Sequence, residues 1–491
     1  MFVLTLGLVG AGSWIPTQSR DEAATVSAVT RSWPELFAML GNVDVVHGLF
    51  YSAMKVWLGL VGISPLTLRL PSVVACAAAA AFAVGIGSVL VSRRAGLLAG
   101  LVLAVSPRVT LIGTEGRSAA WFTAVAALLV LLVVLSVRRP SRWWVLPVAL
   151  STAVLGYLHI YTLLLAPVLL LHLLLAAPVQ PSVGARAHLA GLFREHRGWS
   201  AAGIVLAAVP VVWLALRARG QQAQVDWIDP PNLQTLSGVA SETVSPHNEL
   251  WAVLAWGCAV AGLIWLSRHR GRRVTRGATV LLVGWLVWPP LALIATSAVW
   301  SPLYSQRYMA FCVPALAVLA GIGLASVRRR LLAAVVAVAL PLAGLASYPA
   351  QRTVDAWDDW AQVMAVVRYR AIPGDVRVDY PLVSALPVSY PDAFPGVRVL
   401  NGGSDRLTRH ALWDERLPLD QVEPRLAGVQ RLWYLTPVSD DVRRTAEIAR
   451  LRQLGFRGEM LQRSSAEQTW LFTRSAAEAA RGDRLLLRTP G

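Results

Sequence analysis

The sequence has little charge. Asp, Glu, Lys and Arg make up 15% of its 491 residues, against about 25% in an ordinary soluble domain. Hydrophobic residues account for 55%, and the mean hydropathy is +0.53. Because so few charged side chains cannot cover a water-facing surface, the composition excludes a soluble cytosolic enzyme and a disordered scaffold. It predicts a membrane protein.

Lysine and cysteine are almost absent. Lys55 is the only lysine, so the formal net charge of +17 comes from arginines, many of which lie in short clusters between apolar runs. Membrane topology explains such clusters, and we therefore expect no nucleic-acid binding. Cys76, Cys258 and Cys312 each fall inside an apolar run, which excludes a disulfide framework. The sequence also lacks internal repeats, a Walker loop, a Rossmann glycine pattern, a zinc-ligand spacing and a DxD motif.

Long apolar runs are abundant. A helix that spans a bilayer needs about 20 mostly apolar residues. About eleven segments are predicted to span, with these bounds: Met1–Ile15, Leu66–Val91, Ala95–Leu111, Ala119–Val137, Trp143–Tyr157, Tyr161–Ala177, Ser200–Leu216, Leu250–Leu266, Ala278–Val299, Met309–Val327 and Leu331–Leu345. The first lacks the positively charged start of a signal peptide, so we expect a membrane segment with a start site slightly upstream rather than a cleaved leader.

Arginine clusters orient these segments, because cytoplasmic loops are enriched in Arg. The clusters fall on alternate connections: Arg93–Arg94, Arg138–Arg142, Arg186–Arg197, Arg268–Arg276 and Arg328–Arg330. The longer loops then lie on the other side: Pro16–Pro65, Gly113–Ser118, the turn near His159, Arg217–Glu249 and Trp300–Tyr308. We therefore expect a multi-pass protein of the cell membrane with these loops outside the cytoplasm. In the first loop, His47–Gly62 has apolar residues at helical spacing around Lys55, which predicts one of a pair of interfacial helices.

After about Tyr348 the sequence becomes charged and rich in turns. Two helices are predicted there, Asp358–Tyr369 and Asp440–Leu454, the second capped by Ser439 and ended by Gly455. Four short strands are predicted between and after them: Asp375–Tyr380, Val397–Leu400, Arg431–Leu435 and Thr469–Phe472. The sequence thus predicts a membrane domain over residues 1–347 and a small extracytoplasmic α/β domain over residues 348–491.

Carboxylates at the membrane boundary are informative because burying them without partners costs several kcal/mol. Asp21 and Glu22 follow the first apolar run, and they are either solvated or part of an enclosed polar site. Glu115 and Arg117 occupy the second outer turn, on the same predicted side. A carboxylate near Arg stays ionised and can accept the proton of a hydroxyl. The alternative for this pair is a local ion pair that caps the following helix.

The fifth outer loop brings an arginine and two tyrosines to the start of an apolar run. Arg307 has the donor geometry to bind a phosphate, and Tyr304 and Tyr308 suit the headgroup boundary. An ordinary interfacial anchor is the alternative. Asp44 and His47 could pair with each other or contact a sugar, whereas helix capping is the simpler role for Asp44.

Two further residues in the outer loops are candidates for substrate binding. His159 lies in the turn between two predicted spans, and Trp227 lies in the longer loop that follows Arg217. Trp227 could stack on a sugar ring or anchor the chain at the headgroup level.

These motifs together resemble the GT-C glycosyltransferases that use polyprenyl-phosphate sugars. The similar group contains protein O-mannosyltransferases, aminoarabinose transferases and actinobacterial cell-envelope mannosyl- and arabinosyltransferases. The resemblance covers roughly residues 14–348 and rests on five motifs: Asp21–Ala23, Asp44–Tyr51, Leu68–Ser72, Glu115–Ser118 and Arg307–Tyr308.

The resemblance implies a GT-C fold and assigns roles to individual residues. Asp21, with Glu22 beside it, would be the base that activates the acceptor, Glu115 would orient donor or acceptor, and Arg307 would bind the lipid phosphate. Tyr308 and Lys55 are further candidates for the phosphate. The remaining candidates for substrate binding are Asp44, His47, Arg117, His159, Trp227 and Tyr304. No cofactor is expected; a divalent metal is possible but not indicated, because arginine and Lys55 could neutralise a monophosphate leaving group.

The expected reaction is an inverting transfer of a sugar to a glycolipid, polysaccharide or protein acceptor, with mannose as the first choice and arabinofuranose as the second. A transporter or lipid flippase is the alternative class. Transport sites usually lie near the midplane between inverted repeats, whereas the acidic residues here concentrate at one membrane surface. A non-catalytic envelope subunit would leave Asp21 without a role.

Overall fold

The computed structural model describes residues 1–176, 196–221, 228–269, 273–327, 329–357, 360–438, 442–463 and 467–480. It consists of two compact units. We call Met1–Trp14 with Asp44–Arg352 the helical unit, and Ile15–Val43 with Thr353–Gly491 the α/β unit. The predicted division at residue 347 kept residues 15–43 with the membrane helices, whereas the compact units group them with the C-terminal part. The division of function between residues 1–347 and 348–491 stays a prediction.

The helical unit extends to Arg352 because Tyr348 and Arg352 bind the C-terminal end of the first helix. Tyr348 Oη lies 2.7 Å from the carbonyl oxygen of Leu8 and 2.6 Å from that of Ala11, and its single proton can be donated to either. Arg352 donates to the carbonyl oxygen of Val9 at 3.1 Å, and its guanidinium stacks 3.5 Å from the Tyr348 ring centroid. These bonds satisfy carbonyls at the end of a helix, which have no partner within it.

The α-helices are numbered in chain order through both units. The described helices of the helical unit are α1 (Phe2–Gly10), α4 (Gly48–Val61), α5 (Pro65–Leu90), α6 (Arg93–Ala104), α7 (Pro107–Ile112), α8 (Ala119–Arg138), α9 (Val145–Leu158), α10 (Ala166–Ala176), α11 (Arg197–Ala218), α12 (Leu233–Ser241), α13 (Glu249–Arg268), α14 (Arg273–Val299), α15 (Val313–Ser326) and α16 (Arg330–Ala346). Short 3₁₀ helices precede several of them: Val45–His47, Arg142–Trp144, Ile160–Leu165 and Gln306–Cys312.

Six stretches of the described chain are long and apolar enough to cross a membrane: Pro65–Leu90, Ala119–Arg138, Arg197–Gln221, Glu249–Arg268, Arg276–Val299 and Gln306–Ser326. A mostly helical fold with several candidate membrane spans is confirmed, but the count of eleven spans is not. The other predicted segments contain shorter helices. The segment Ala95–Leu111, for example, breaks between α6 and α7 at Pro107, because proline disfavours helical backbone in the residue before it.

The α/β unit contains α2 (Arg20–Val29), α3 (Trp33–Asn42), α17 (Trp360–Arg370), α18 (Leu386–Ser389), α19 (Leu419–Val422) and α20 (Val442–Gln453). Its strands are β1 (Val376–Asp379), β2 (Arg398–Val399), β3 (Arg431–Pro437), β4 (Arg457–Arg463) and β5 (Glu467–Thr473). They form one sheet in the order β2-β1-β3-β5-β4, in which β1 is parallel to β2 and β3 and β5 is antiparallel to β3 and β4.

The central strand β3 contributes to an apolar cluster on each face of this sheet. Leu432 and Tyr434 belong to one cluster, while Trp433 and Leu435 belong to the other. This alternation follows from the two-residue period of a strand, and a strand covered on both faces is apolar throughout. Ala23 of α2 is part of the second cluster, which explains why the segment 15–43 belongs to this unit.

One strand was missed, and the predicted starts of two helices lie outside the described residues. β4 reads Arg-Gly-Glu-Met-Leu-Gln-Arg at the edge of the sheet, and such edge strands carry charges that discourage pairing with other chains, so no apolar alternation marks it. The predicted helix Asp358–Tyr369 is described from Trp360, and Asp440–Leu454 from Val442. Ser439, its predicted cap, lies outside the described residues. Gly455 has a φ of +89° just past the helix, as expected of a terminating glycine.

Candidate active site

A hydrogen-bonded chain joins the first-loop motif to the second-loop motif in the helical unit. Tyr51 Oη donates to Asp44 Oδ2 at 2.6 Å, and Arg117 Nη1 donates to the same Oη at 2.8 Å. Arg117 Nη2 also lies 3.4 Å from His47 Nε2. The structure therefore brings together Asp44, His47 and Arg117, three of the residues expected to bind substrate, through a tyrosine to which the sequence assigned no role.

Asp44 has a left-handed backbone with φ of 59°, a conformation in which Asp is enriched among non-glycine residues. Its side chain makes no capping hydrogen bond to the 3₁₀ turn that follows, so the structure does not show the capping alternative for Asp44. The carboxylate is instead bound by Tyr51, which lies seven residues later on α4. Burial raises the pKa of the Tyr51 phenol, so it remains protonated and able to donate this bond.

The turn that carries Glu115 and Arg117 packs tightly against the start of α5. A Cβ atom on Gly116 would lie 2.5 Å from Leu68 Cγ, so only glycine fits there without displacing that side chain. Glu115 is buried, with 8% of its surface exposed. Ser72 Oγ on α5 donates to the carbonyl oxygen of Arg117 at 3.4 Å. The packing fixes the backbone from which the acid and the arginine project.

The first turn of α8 connects this region to His159. Trp121 packs edge-on against Phe50 of α4, with 5.3 Å between ring centroids. The next residue, Phe122, packs against His159 at 5.0 Å. Neighbouring side chains on one helix turn therefore contact both the first-loop helix and the third outer turn.

His159 is surrounded by aromatic rings and cations. Its ring centroid lies 5.1 Å from that of Tyr161 and 4.9 Å from that of Tyr308. Burial, followed by the positive charges of His47, Arg117 and Arg307, lowers the pKa of His159 to about 3. The imidazole is thus neutral at physiological pH and does not serve as a cation. Among the described residues, its Nδ1 has no hydrogen-bond partner.

The fifth outer loop presents Arg307 beside Tyr308, with the guanidinium 5.9 Å from the ring centroid. Arg307 is exposed, whereas Tyr304 is buried and its hydroxyl lies 3.2 Å from Thr243 Oγ1. In this structure Tyr304 supports the loop, and burial raises its pKa.

Arg108 is a site residue that the sequence reasoning missed, because it lies inside a predicted apolar span. Its Nε donates to the carbonyl oxygen of Thr243 at 3.0 Å, and its Nη2 donates to that of Glu242. Its charge also interacts with those of Glu115 and Arg307. A buried arginine in an otherwise apolar run was the available signal, since such residues are rare and have bound partners.

The acids after the first apolar segment belong to the α/β unit. Glu22 and Ser19 form a capping box: Glu22 Oε2 accepts from the Ser19 backbone N–H at 3.0 Å, and Ser19 Oγ accepts from that of Glu22 at 3.1 Å. Glu22 is fully buried, whereas Asp21 is partly exposed. The box, readable from the Ser-x-x-Glu spacing, gives Glu22 a structural role and leaves Asp21 as the more accessible acid of the two.

The last predicted residues are placed as follows. Lys55 lies on α4 one turn after Tyr51 and is partly exposed. Trp227 lies outside the described residues. Over the described ranges, no three or more His, Cys, Asp and Glu residues form a group that could hold a metal ion. The predicted site residues that lie together in the helical unit combine arginines that can bind an anion with aromatic rings that can stack on a sugar.

Comparison with solved structures identifies the fold. No protein-family model matches the chain, and no curated protein matches it. The fold matches ArnT from Cupriavidus metallidurans in the apo state with a TM-score of 0.60 at 12% identity, covering 97% of this chain and 98% of that one. ArnT bound to undecaprenyl phosphate gives 0.59 at 13% identity, with the same coverage.

A third structure is more distant. It is the archaeal oligosaccharyltransferase AglB from Archaeoglobus fulgidus in complex with an inhibitory peptide and a dolichol-phosphate. The TM-score is 0.51 at 9% identity, with 88% of this chain and 69% of that chain covered. Identities this low relate the proteins by fold alone: the chain has the fold that ArnT and AglB share.

Proposed function

We propose that this protein is an inverting membrane glycosyltransferase that moves a sugar from a polyprenyl-phosphate donor to an acceptor of the cell envelope. The observation that carries the proposal is the convergence of Asp44, Arg117, His159 and the Arg307 loop in one part of a helical unit with this fold. Solved structures with the same fold include one bound to undecaprenyl phosphate and one bound to dolichol-phosphate.

The proposed binding of the donor rests on charge and ring geometry. Arg307 is exposed and flanked by Tyr308, so its guanidinium can bind two phosphate oxygens while the ring lies at the headgroup boundary. Arg117 and Lys55 are additional cations in this unit. The rings of the neutral His159, Tyr161 and Tyr308 lie close together and form an aromatic surface on which a sugar ring can stack.

The proposed reaction is a single displacement. Asp21 accepts the proton of an acceptor hydroxyl, and the oxygen attacks the anomeric carbon from the face opposite the phosphate. The bond from the anomeric carbon to the phosphate oxygen breaks, the configuration inverts, and Arg307 stabilises the charge of the departing polyprenyl phosphate. A donor anchored by its lipid is already restricted to one depth, which reduces the entropy lost on reaching the transition state. Glu115 orients donor or acceptor.

Mannose is the proposed sugar and arabinofuranose the second choice, because the sequence motifs resemble enzymes of both kinds. The acceptor is a glycolipid, polysaccharide or protein of the envelope.

The test of this function uses the purified full chain in liposomes. Radiolabelled polyprenyl-phosphate mannose is supplied with an envelope extract, and the arabinofuranosyl donor is tested in parallel. Transfer that requires Asp21 and Arg307 supports the proposal. Movement of the lipid between leaflets without transfer to any acceptor would instead favour a flippase.

The proposal also requires the outer loops and the α/β unit to lie outside the cytoplasm, where nucleotide sugars are absent. Single cysteines at Ser404 and Ser141 test this in a background lacking Cys76, Cys258 and Cys312. Ser404→Cys should react with a membrane-impermeant maleimide in intact cells, whereas Ser141→Cys should react only after lysis. The reverse pattern would contradict a lipid-linked donor at the outer face.

A further inference from the structure

A groove in the helical unit combines an apolar floor with two arginines. It has a volume of about 610 Å³ and lies between α6, α15 and α16. Arg93 and Arg94 line one part of it, and Leu97, Leu98 and Leu324 line the rest together with two alanines of α16. Arg94, Leu97 and Leu98 lie three or four residues apart on α6, so they share one face of that helix.

This groove is separate from the candidate active site. Arg93 and Arg94 begin α6, whereas Arg108 follows beyond its other end. The 12 residues of α6 span about 18 Å at 1.5 Å per residue. The two ends of this helix therefore carry different arginines in different surroundings.

Nothing in the surrounding sequence can neutralise the two arginines. The chain contains no Asp or Glu between Asp44 and Glu115, and none between Glu249 and Asp355, so all three helices of the groove lack carboxylates. In the described part of the chain, neither Arg93 nor Arg94 forms an ion pair. Both are exposed. An anion from the surroundings can therefore approach both guanidiniums without competing with a carboxylate of these three helices.

The position of the two arginines also favours an anion. They occupy the first turn of a 12-residue helix, where the helix dipole is positive and where no acidic residue is present. Cations at this end are destabilising and an anion is stabilising because of the helix dipole, although Ser92 Oγ already accepts from the Ala95 N–H of this first turn. A bound phosphate would relieve the repulsion and accept hydrogen bonds from both guanidiniums.

The apolar part of the groove suits a hydrocarbon chain. Gly321 of α15 packs against the backbone of Ala95 and Ala99, which holds α15 and α6 together beside the groove. Leu97 remains 45% exposed at its edge. The leucine side chains that line the groove offer apolar surface that an acyl chain could bury.

We propose that this groove binds one anionic glycerophospholipid, with its phosphate on Arg93 and Arg94 and an acyl chain along Leu97, Leu98 and Leu324. The site is independent of the proposed transferase reaction. Its expected effect is to anchor α6, α15 and α16 to one leaflet of the membrane.

The test is native mass spectrometry of the full chain, purified in detergent and supplied with equal amounts of phosphatidylglycerol and phosphatidylcholine. We expect one phosphatidylglycerol to be retained per chain, and at least fivefold less retention after Arg93→Gln with Arg94→Gln. Arg138→Gln with Arg139→Gln is the matched control, since it removes an adjacent arginine pair that does not line the groove. It should retain phosphatidylglycerol like the wild type.

A second variant covers the case in which the double substitution fails to fold. Ala337→Trp fills the groove and leaves both arginines in place, so it should also lose the lipid. Equal retention of phosphatidylcholine, unchanged retention in both groove variants, or an equal loss in the control would overturn the proposal. Preferential retention of added undecaprenyl phosphate would overturn it as well.

Discussion

Arginine is bound differently in the two units of this protein. In the helical unit, the buried Arg69, Arg108 and Arg352 donate to backbone carbonyl oxygens of Ser13 at 2.8 Å, Thr243 at 3.0 Å and Val9 at 3.1 Å, and the exposed Arg138 donates to that of Val89 at 2.8 Å. In the α/β unit the buried Arg31 and Arg474 also donate to carbonyl oxygens, but four other arginines pair with carboxylates: Arg416 with Asp379 at 3.1 Å, Arg431 with Asp375 at 2.9 Å, Arg443 with Glu447 at 2.9 Å, and Arg450 with Glu423.

The two units differ in the partners of their arginines because carboxylates are scarce in the helical unit, where burying them is costly. Residues 44–352 contain seven acidic residues, and only Glu195 falls in one of the arginine-rich connections. A carbonyl at a helix end accepts from a guanidinium without a second buried charge, which suits a low-dielectric environment. Acids that persist in such a unit need a reason, and Asp44 and Glu115 both lie in the candidate active site. The comparison therefore directs attention to the few acids that the helical unit retains and to Asp21 beside it in sequence.

Asp21→Asn is expected to have the largest effect. The amide keeps the shape but cannot accept a proton, so transfer should fall by about 10²- to 10⁴-fold, the usual contribution of a general base. Donor binding and expression should stay close to wild type. The assay is transfer from a polyprenyl-phosphate sugar by the reconstituted full chain.

Glu22→Gln is the matched control for Asp21→Asn. Glutamine can still complete the capping box with Ser19, so transfer should change little. Near-normal turnover by Asp21→Asn would remove Asp21 as the base. The comparison between units would then favour an acid of the helical unit, with Glu115 first.

Arg307→Ala should weaken donor affinity and turnover together, by about 10- to 10³-fold in kcat/KM, because the guanidinium binds the phosphate in the ground state and more strongly as it leaves. Arg307→Lys should restore only part of the loss, since a lysine lacks the two-pronged donor geometry. Kinetics are measured at varied donor concentration. If both variants behave like wild type, Arg307 is an interfacial anchor and another cation binds the phosphate.

The sequence predicted most of the fold because the relevant signals are local. Apolar run length located the helices Pro65–Leu90 and Ala119–Arg138 to within two residues of the predicted ends. Alternation and β-branched content located four strands. β4 was missed because an exposed edge strand lacks that alternation. The grouping of residues 15–43 with the α/β unit depends on long-range contacts such as the bond from Ser27 Oγ to the Leu412 carbonyl oxygen, which no local pattern encodes.

The candidate site was predictable only where a residue's chemistry is unusual for its surroundings. Asp44, Glu115 and Arg307 stand out as charges beside apolar runs. Tyr51 does not, because a tyrosine on an apolar helix is ordinary until its neighbours Asp44 and Arg117 are known. Arg108 was missed because a membrane span is predicted from the average hydropathy of about 20 residues, and one arginine changes that average little. Pairing partners therefore had to come from the structure.

Breaking an arginine pair should cost more stability in the α/β unit than in the helical unit. Arg416→Met leaves the fully buried Asp379 with only Arg377, 3.6 Å away, so we expect a loss of about 3 kcal/mol. Arg138→Met loses one exposed hydrogen bond to a carbonyl and should cost about 1 kcal/mol. Unfolding of the full chain in detergent, followed by fluorescence, measures both.

Asp379→Asn combined with Arg416→Met should recover part of the lost stability, because no uncompensated carboxylate remains. Equal losses for Arg416→Met and Arg138→Met would show that the partner of the arginine does not matter. That result would contradict the comparison between the two units.

His159 tests whether the helical unit tolerates a buried charge that has no acidic partner. Its pKa is about 3 in the folded protein, against an ordinary value of 6.5. Between these pH values the unfolded chain binds a proton that the folded chain excludes, so stability should fall as the pH is lowered from 6.5 toward 3. At pH 5 the expected loss of folding stability is roughly 2 kcal/mol, from about 1.4 kcal/mol for each pH unit.

His159→Phe keeps the ring contacts with Tyr161 and Tyr308 but cannot be protonated. Its thermal stability should therefore fall less between pH 7.5 and pH 5 than that of the wild type. Parallel pH profiles for the two proteins would mean that the imidazole is already solvated or paired, and that the aromatic wall around it is open to water.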